Sequence, residues 1–160
     1  MDDPDDASDH LTPSLEHVFD VEVEVAAPID IGETGNGQRR IIPIESGTIS
    51  GRIEGEILPG GADYQLFRVD RPSELVANYA FETDDGARVY VENRGIRDAS
   101  PADKRRLGDG EEVPPDAVYF QSTPRFETAD PDLEWLTRRI FVASGIRQPR
   151  GVKLAVHMVE

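Results

Sequence analysis

Acidic, amide and phenolic side chains occupy positions in strand-like segments where alternation predicts burial. Asp63 and Gln65 are in phase with Phe67, and Tyr79 is in phase with Leu75. A carboxyl group whose pKa is raised by burial can transfer protons, and a phenol can donate a hydrogen bond to an oxyanion. Because Asp63 follows a Pro-Gly-Gly turn, we expect these side chains to face the interior near one end of the domain.

Charged residues farther along the chain could complete a polar site. Burying a carboxylate is costly unless it is paired, so we expect Asp63 or Glu127 to meet an arginine. The arginines available are Arg88, Arg94 and Arg125. Such a cluster is either a buried ion-pair network or a site for a ligand or a reaction, and both interpretations stay open. The candidate ligand-binding residues are Asp63, Gln65, Tyr79, Arg88, Arg125 and Glu127.

Other kinds of site are disfavoured. The chain has no cysteine, which excludes disulfides, thiolate metal sites and cysteine nucleophiles. His10, His17 and His157 do not have the spacing of metal ligands. The glycines of residues 32–37 run in the order G-x-x-G-x-G, which is not the order of a dinucleotide-binding loop. We therefore expect neither a metal site nor a cofactor.

The elements that must position the polar residues are short strands. From Leu15 onward, apolar and polar residues alternate with a period of two, which is typical of strands with one buried face. Asp84-Asp85-Gly86 is typical of a tight hairpin turn. Residues 101–107 allow a short helical turn, and Asp130-Pro131 predicts the one real helical turn over 130–136. The later predicted strands are 48–58, 63–70, 74–83, 88–96, 117–122, 139–145 and 152–159.

About eight or nine strands with no long helix predict an all-β fold. Even spacing and hairpin turns favour a closed antiparallel β-barrel, and a two-sheet sandwich is the main alternative. We expect residues 1–14 to form a disordered acidic arm and residues 15–160 to form a single barrel domain. The arm has no apolar run, so it resembles no signal peptide, and no segment is long enough for a transmembrane helix. A cytoplasmic location is the resulting expectation.

The charge is strongly negative. The 160 residues include 32 acidic and 17 basic side chains, which gives a net charge of −15. This field disfavours nucleic acids and anionic membrane surfaces as partners. Only Lys104 and Lys153 are lysines, and acid enrichment with lysine depletion is typical of proteins from organisms that accumulate salt. An acidic protein from a GC-rich genome is the alternative interpretation.

The order of several motifs resembles one protein family. The series begins with Arg-Arg-Ile-Ile-Pro-Ile at 39–44, then places glycine at every fourth position from 47 to 55 and Pro-Gly-Gly-Ala-Asp-Tyr-Gln at 59–65. Thr-Asp-Asp-Gly at 83–86, Asn-Arg-Gly at 93–95, Pro-Arg-Phe-Glu-Thr at 124–128 and Glu-Trp-Leu at 134–136 follow. In this order and spacing the chain resembles the DUF3237 family, also called UPF0311, from about Leu15 to Glu160. The resemblance implies a β-barrel of the lipocalin- or avidin-like kind and implies no established activity.

Three functions remain compatible with these observations. The first is binding of a small organic molecule in the barrel interior, because an eight-stranded barrel is just wide enough to hold one small ligand. The second is a cofactor-free enzyme, such as an isomerase, hydratase or cyclase, that uses a buried carboxylate and Tyr79 for acid–base chemistry. The third is a filled barrel that acts as an interaction module. The sequence leaves the oligomeric state open, including a homo-oligomer.

Overall fold

The fold is a closed antiparallel β-barrel, as the alternation predicted. A computed structural model describes residues 11–160. The residues of the predicted arm before Leu11 lie outside the described residues. Ser14, at the predicted boundary of the arm, exchanges two backbone hydrogen bonds with Glu160 at 2.9 and 3.0 Å. The strands are β1 (Leu15–Val25), β2 (Ile29–Thr34), β3 (Gly37–Gly51), β4 (Gly55–Ile57), β5 (Gly61–Phe67), β6 (Ser73–Thr83), β7 (Arg88–Asp98), β8 (Tyr119–Thr128), β9 (Phe141–Gln148) and β10 (Gly151–Val159).

Eight strands close the barrel, and two short strands are added to it. The circuit runs β1-β10-β9-β8-β7-β6-β5-β3 and returns to β1, with every pairing antiparallel. The short β4 bridges β3 and β6 beyond the end of β5, and β2 forms a hairpin with the first part of β3. Because the sheet returns on itself, the sandwich alternative is excluded.

One end of the barrel is filled by aromatic side chains. Phe19, Phe81 and Phe141 are among the most completely buried side chains. Phe126 lies between Phe19 and Phe141, with ring centroids 5.9 and 5.1 Å away in edge-to-face geometry. We call this the closed end. Because aromatic side chains fill the closed end, a site inside the barrel has room only at the opposite end.

The recurrent glycines of β3 and β4 allow neighbouring strands to approach closely. At Gly51, a Cβ atom would lie 2.7 Å from the Val18 carbonyl oxygen and 2.8 Å from the Phe19 Cα atom. The φ angle of Gly51 is +137°, which side chains disfavour. The motif with glycine at every fourth position therefore has a packing cause at the point where β3 bends against β1.

The helical segments differ from the prediction in kind. Residues 130–136 were predicted to hold the one real helical turn, but Pro131–Thr137 is a 3-10 helix. Within residues 11–160 the α-helix, α1, is Pro101–Gly108, where only a short turn was predicted. Its N-cap is Ser100, whose hydroxyl accepts a hydrogen bond from the backbone N–H of Asp103 at 3.1 Å. A further 3-10 helix spans Pro115–Ala117.

The described helices include none that is long and apolar enough to cross a membrane.

Candidate functional site

The polar residues of the interior gather at the end of the barrel opposite the aromatic cluster. We call this end the mouth. It is formed by residues 38–42 of β3, 63–67 of β5, 93–97 of β7 and 145–148 of β9. Helix α1 lies beside it: a Cβ atom at Gly108 would lie 3.1 Å from the Phe67 ring. The fold therefore places side chains from four strands and one helix around a single opening.

Asp63 is the central acidic group of the mouth. Gln65, on the same face of β5, donates a hydrogen bond from Nε2 to Asp63 Oδ2 at 2.8 Å. The other carboxylate oxygen, Oδ1, is buried and has no hydrogen-bond partner among residues 11–160. Burial raises the pKa of the Asp63 carboxyl group, and the hydrogen bond from Gln65, the charge of Arg97 and the backbone N–H of Val76 only partly oppose this rise. A carboxyl group in this environment can exist in its neutral form above its ordinary pKa.

A narrow pocket of about 50 Å³ extends from Asp63 into the barrel. Asn93 and Ser122 also line this pocket, and Asn93 Oδ1 and Ser122 Oγ are buried without a hydrogen-bond partner in the part of the chain that the structure describes. Tyr79 also lines the pocket, and burial raises the pKa of its phenol, so the phenol stays protonated and can act as a donor. With Asp63 included, four strands thus supply unsatisfied or donor groups to the lining of one small space.

A wider cavity of about 480 Å³ lies outside the narrow pocket. Val25, Asp63 and Val152 line both spaces, so the two meet at Asp63. The wider cavity is also lined by Arg97 and Arg147. This volume is in the usual range for sites that hold small molecules, about 300–1,000 Å³.

Arg97 is the buried cation of the mouth, with 8% of its surface exposed. Burial is the main cause that lowers its pKa to about 10; the positive charges of Arg147 and Arg40 add to the decrease, and Asp63 opposes it. Burial and the charge of Arg40 also lower the pKa of Arg147. Three guanidinium groups from β3, β7 and β9 therefore lie close enough to repel one another.

Three of the six candidate residues lie where the alternation placed them. Gln65 and Tyr79 are 6% exposed, and both face the interior together with the carboxyl group of Asp63. Whether these residues bind a ligand stays a prediction.

The other three candidates lie on the outer surface, so their expected inward orientation is wrong. Arg125 and Glu127 are exposed because they alternate with the buried Phe126 on β8. Arg88 pairs across the surface with Glu82 at 2.9 Å, and its side chain is 73% exposed. The proposed site does not include these residues.

The expected partner of Asp63 is also wrong. Arg94 pairs with Glu92 at 3.0 Å on the outer face of β7. The arginine whose charge acts on Asp63 is Arg97 on the inner face of the same strand. No ion pair joins Asp63 and Arg97 within 4.0 Å, so the expected buried salt bridge is replaced by a looser interaction.

The residues that sequence reasoning missed had a usable signal. On β7, Asn93 and Arg97 are in phase with the buried Val89. The predicted strand ended at residue 96, one residue before Arg97. On β9, Arg147 is in phase with Phe141 but lies beyond the predicted end at 145. Extending each alternation by one period would have found both arginines.

The histidines form an unexpected contact that stays outside this site. His17 and His157 are paired across β1 and β10, with ring centroids 5.3 Å apart. His17 Nε2 also lies 2.7 Å from Asp20 Oδ1 on the surface. Within residues 11–160, no group of three or more His, Asp or Glu side chains is arranged to hold a metal ion, and His10 lies outside this range.

Comparison of the sequence with known proteins gives one family. A family model described as a protein of unknown function, DUF3237, matches residues 13–159. A UPF0311 protein of Rhodopseudomonas palustris is 47% identical over 152 residues, which cover 93% of this chain and 99% of that protein. A UPF0311 protein of Clostridium acetobutylicum is 42% identical over 148 residues, covering 91% and 94%.

Solved structures have the same barrel. A conserved protein of unknown function from Rhodopseudomonas palustris matches with a TM-score of 0.87 at 45% identity, over 93% of this chain and 99% of that one. A beta-barrel like protein from Acinetobacter baumannii matches with a TM-score of 0.81 at 34% identity, over 93% and 97%. An enzyme from Penicillium herquei matches with a TM-score of 0.70 at 17% identity, over 92% and 95%. At this low identity, the last similarity concerns the fold alone.

Proposed function

The chain belongs to the DUF3237 family, whose description assigns no function, and we propose that it binds a small organic molecule at the barrel mouth. The body of the ligand occupies the wider cavity, and a narrow part reaches past Asp63 into the inner pocket.

The observation that carries this proposal is the convergence of three unsatisfied buried oxygens. Asp63 Oδ1, Asn93 Oδ1 and Ser122 Oγ belong to three different strands and line one pocket. Leaving a buried polar atom without a partner costs about 1–3 kcal/mol, so native interiors rarely contain such groups together. A ligand that supplies donors and an acceptor offsets this cost at all three positions.

The shape of the space supports a ligand rather than a completely filled barrel. Small side chains, among them Ala77 and Gly95, line the inner pocket and leave room beside Tyr79. The inner pocket of about 50 Å³ accepts only a few non-hydrogen atoms, since one water needs about 10–15 Å³ of such space. The ligand is therefore expected to taper, with its larger part in the outer cavity.

An NMR titration tests this proposal. Benzyl alcohol, a small neutral probe with a ring and a hydroxyl group, is added to the ¹⁵N-labelled protein. We expect the largest amide shifts at Asp63, Asn93, Gly95 and Ser122, which line the inner pocket. Shifts confined to the outer faces of the strands, or none at millimolar probe, would contradict the proposal.

Two variants separate a binding role from a structural one. Asn93→Leu and Ser122→Ala remove unsatisfied atoms, so we expect equal or higher stability and at least about fivefold weaker binding of benzyl alcohol. Ser50→Ala is the matched control, since Ser50 is exposed on β3, and it should leave binding unchanged. A clear loss of stability in both interior variants would indicate a structural network instead.

A second candidate function uses the same space for acid–base catalysis. Its specific support is that Asp63, which has a raised pKa and a buried oxygen without a hydrogen-bond partner, lines the same pocket as the protonated Tyr79. Such a pair can move a proton on a small carbonyl compound without a cofactor. In this case Asp63→Asn would abolish turnover of the bound molecule while binding persists, whereas a pure binding protein would show no turnover in either form.

A further inference from the structure

Three arginines at the mouth form a positive cluster inside a strongly negative protein. Arg40, Arg97 and Arg147 all line the outer cavity, and each comes from a different strand. The net charge of the chain is −15, so the cluster is opposite in sign to the field of the whole molecule. A local concentration of positive charge therefore has to be explained by the mouth itself.

Most of the hydrogen-bond donors of these arginines remain unused. A guanidinium group has five N–H donors. Arg147 donates one hydrogen bond, to the Leu107 carbonyl oxygen at the end of α1, at 2.9 Å. Arg40 donates one to Gln38 Oε1 at 3.2 Å. Among the described residues, the side chain of Arg97 has neither a hydrogen bond nor an ion pair within 4.0 Å.

Neighbouring contacts orient two of the three guanidinium groups. The hydrogen bond to α1 fixes Arg147 against the helix that borders the mouth. The Arg40 guanidinium carbon lies 4.8 Å from the centroid of the Phe67 ring, a cation–π contact that holds the group beside β5. Groups that are already oriented lose less entropy when they bind a ligand.

The carboxylates around the cavity do not neutralise the cluster. Among the described residues that line the cavity, Asp63 is the buried carboxyl group; burial raises its pKa, and it forms no ion pair within 4.0 Å with any of the three arginines. Glu24 and Glu45 also line the outer cavity, but both are exposed at its edge, and Glu24 accepts a hydrogen bond from Ser46 at 3.0 Å. A buried guanidinium group without an anion is costly, so the mouth is built to receive one.

We infer that the ligand of this barrel is a small organic acid, whose acid group is bound by Arg40, Arg97 and Arg147 and whose narrow end reaches past Asp63 into the inner pocket. This inference rests on the proposed binding function and adds the chemical class of the ligand. Arginine suits this role because its planar donors match a carboxylate or phosphate in a bidentate arrangement.

Calorimetric titration with matched probes tests the inference. Benzoate and benzamide share a ring and nearly the same shape, but only benzoate has a charge, and phenyl phosphate tests the other common acid group. In a buffer of low chloride, we expect the protein to bind at least one of the two acids about tenfold or more tightly than benzamide. Whichever acid binds more tightly identifies the acid group that the mouth prefers.

Substitutions of the arginines locate the effect. Arg97→Met should weaken binding of the preferred acid by at least about tenfold and leave benzamide binding unchanged. Arg147→Gln should act in the same direction, and it is the safer test because this side chain is exposed and its loss does not open the core. Arg94→Met is the control, since Arg94 lies on the outer face of the same strand as Arg97 and pairs with Glu92.

The outcomes separate the two proposals. Equal affinity for the acids and benzamide would overturn the organic-acid inference and leave the proposed binding function standing. Failure of all three probes and of benzyl alcohol to bind would overturn both. Equal losses in the Arg94 and Arg97 variants would also overturn the inference, because they would indicate a general effect of surface charge.

Discussion

The carboxyl group of Asp63 is buried in the barrel, and the residue lines both the outer cavity and the inner pocket. In the unfolded chain this carboxyl group ionises with an ordinary pKa of about 3.9. In the folded protein burial raises the pKa, so the native state binds its proton more tightly than the unfolded state does. The stability that Asp63 contributes is therefore complete at low pH and is lost as the pH rises through the raised value.

Replacing Asp63 with asparagine tests this linkage. The variant keeps the shape and removes the ionisation, so its stability relative to the natural protein should increase with pH. We expect the difference in unfolding free energy to move in favour of the variant as the pH rises from about 4 to about 8. Urea unfolding at a series of pH values measures it.

The positive groups near Asp63 could also affect the pH dependence of stability. Arg97, whose pKa is lowered to about 10, keeps its charge throughout this pH range and so adds no titration of its own. A difference that is constant with pH, or that moves in favour of the natural protein as the pH rises, would contradict a raised pKa. A constant loss of about 3–5 kcal/mol would instead indicate that Asp63 is the essential partner of a buried charge.

At the residue scale, predictions that followed the alternation of apolar and polar residues were correct, and predictions that ignored it were wrong. Asp63, Gln65 and Tyr79 were selected because they were in phase with apolar neighbours, and they face the interior. Arg88 and Arg125 were selected for their charge although each alternates with buried residues, and both are exposed. Charge pairing depends on distances between strands, and a single sequence does not contain them.

Helix α1 is held against the barrel, beside the mouth, by a buried lysine. Lys104 is 3% exposed, although lysine is rarely buried. Its Nζ atom donates a hydrogen bond to the Arg71 carbonyl oxygen at 2.6 Å and lies 2.6 Å from Asp98 Oδ1 at the end of β7. One ammonium group thus ties the helix to the turn after β5 and to β7, which carries Arg97.

We expect Lys104→Ala to release the helix from the barrel. The variant loses a charge-assisted hydrogen bond and the packing of a buried side chain, so stability should fall by about 1–3 kcal/mol. Hydrogen exchange of the amides of α1 should accelerate more than exchange in the strands of the closed end. Thermal unfolding combined with hydrogen exchange measures both effects.

The other lysine provides a matched control for this prediction. Lys153 is 42% exposed and lies 4.0 and 3.9 Å from Asp20 and Glu22, a loose surface contact. Lys153→Ala should change stability by less than about 0.5 kcal/mol and should leave exchange in α1 unchanged. Equal effects of the two substitutions would show that net charge, and not the buried contact, is responsible.

The strands could be predicted from the sequence, but it could not be predicted which of the two helical segments forms the α-helix. A period of two directly reports the two faces of a strand, and the barrel strands follow it. Short helices depend on capping and on tertiary contacts. Half of residues 101–108 carry charged side chains, and their helix is held by contacts of Lys104 and Leu107 with the barrel. No local sequence pattern indicates those contacts, and for this reason only a short turn was predicted where the helix lies.

At the scale of the whole molecule, closure of the barrel was predictable and its interior was not. Hairpin turns and even strand spacing indicated the circuit of antiparallel strands that the structure contains. How completely a barrel is filled depends on which side chains meet at each level. Phenylalanines fill the closed end, whereas Ala77 and Gly95 leave a pocket near the mouth. That distribution emerges only from the register between strands.

The charge of −15 belongs to the whole surface, and it predicts how stability responds to salt. Carboxylates repel one another over about 10 Å at 0.1 M salt and over about 3 Å at 1 M. Glu56 on β4 faces Glu82 directly across the register with β6, an arrangement of like charges that destabilises a sheet. Screening should relieve such repulsion throughout the surface.

We expect the melting temperature to rise by at least about 5 °C from dilute to molar potassium chloride, equivalent to about 2 kcal/mol for a domain of this size. Glu56→Gln should raise the melting temperature in dilute salt and have a smaller effect in molar salt, because it removes one of the repulsive contacts that salt screens. Glu33→Gln, on the exposed hairpin strand β2, is the control for a change of one charge without a facing carboxylate. Calorimetry over a salt series measures all three proteins. A melting temperature that stays flat or falls with salt would contradict the interpretation of this composition as an adaptation to high salt.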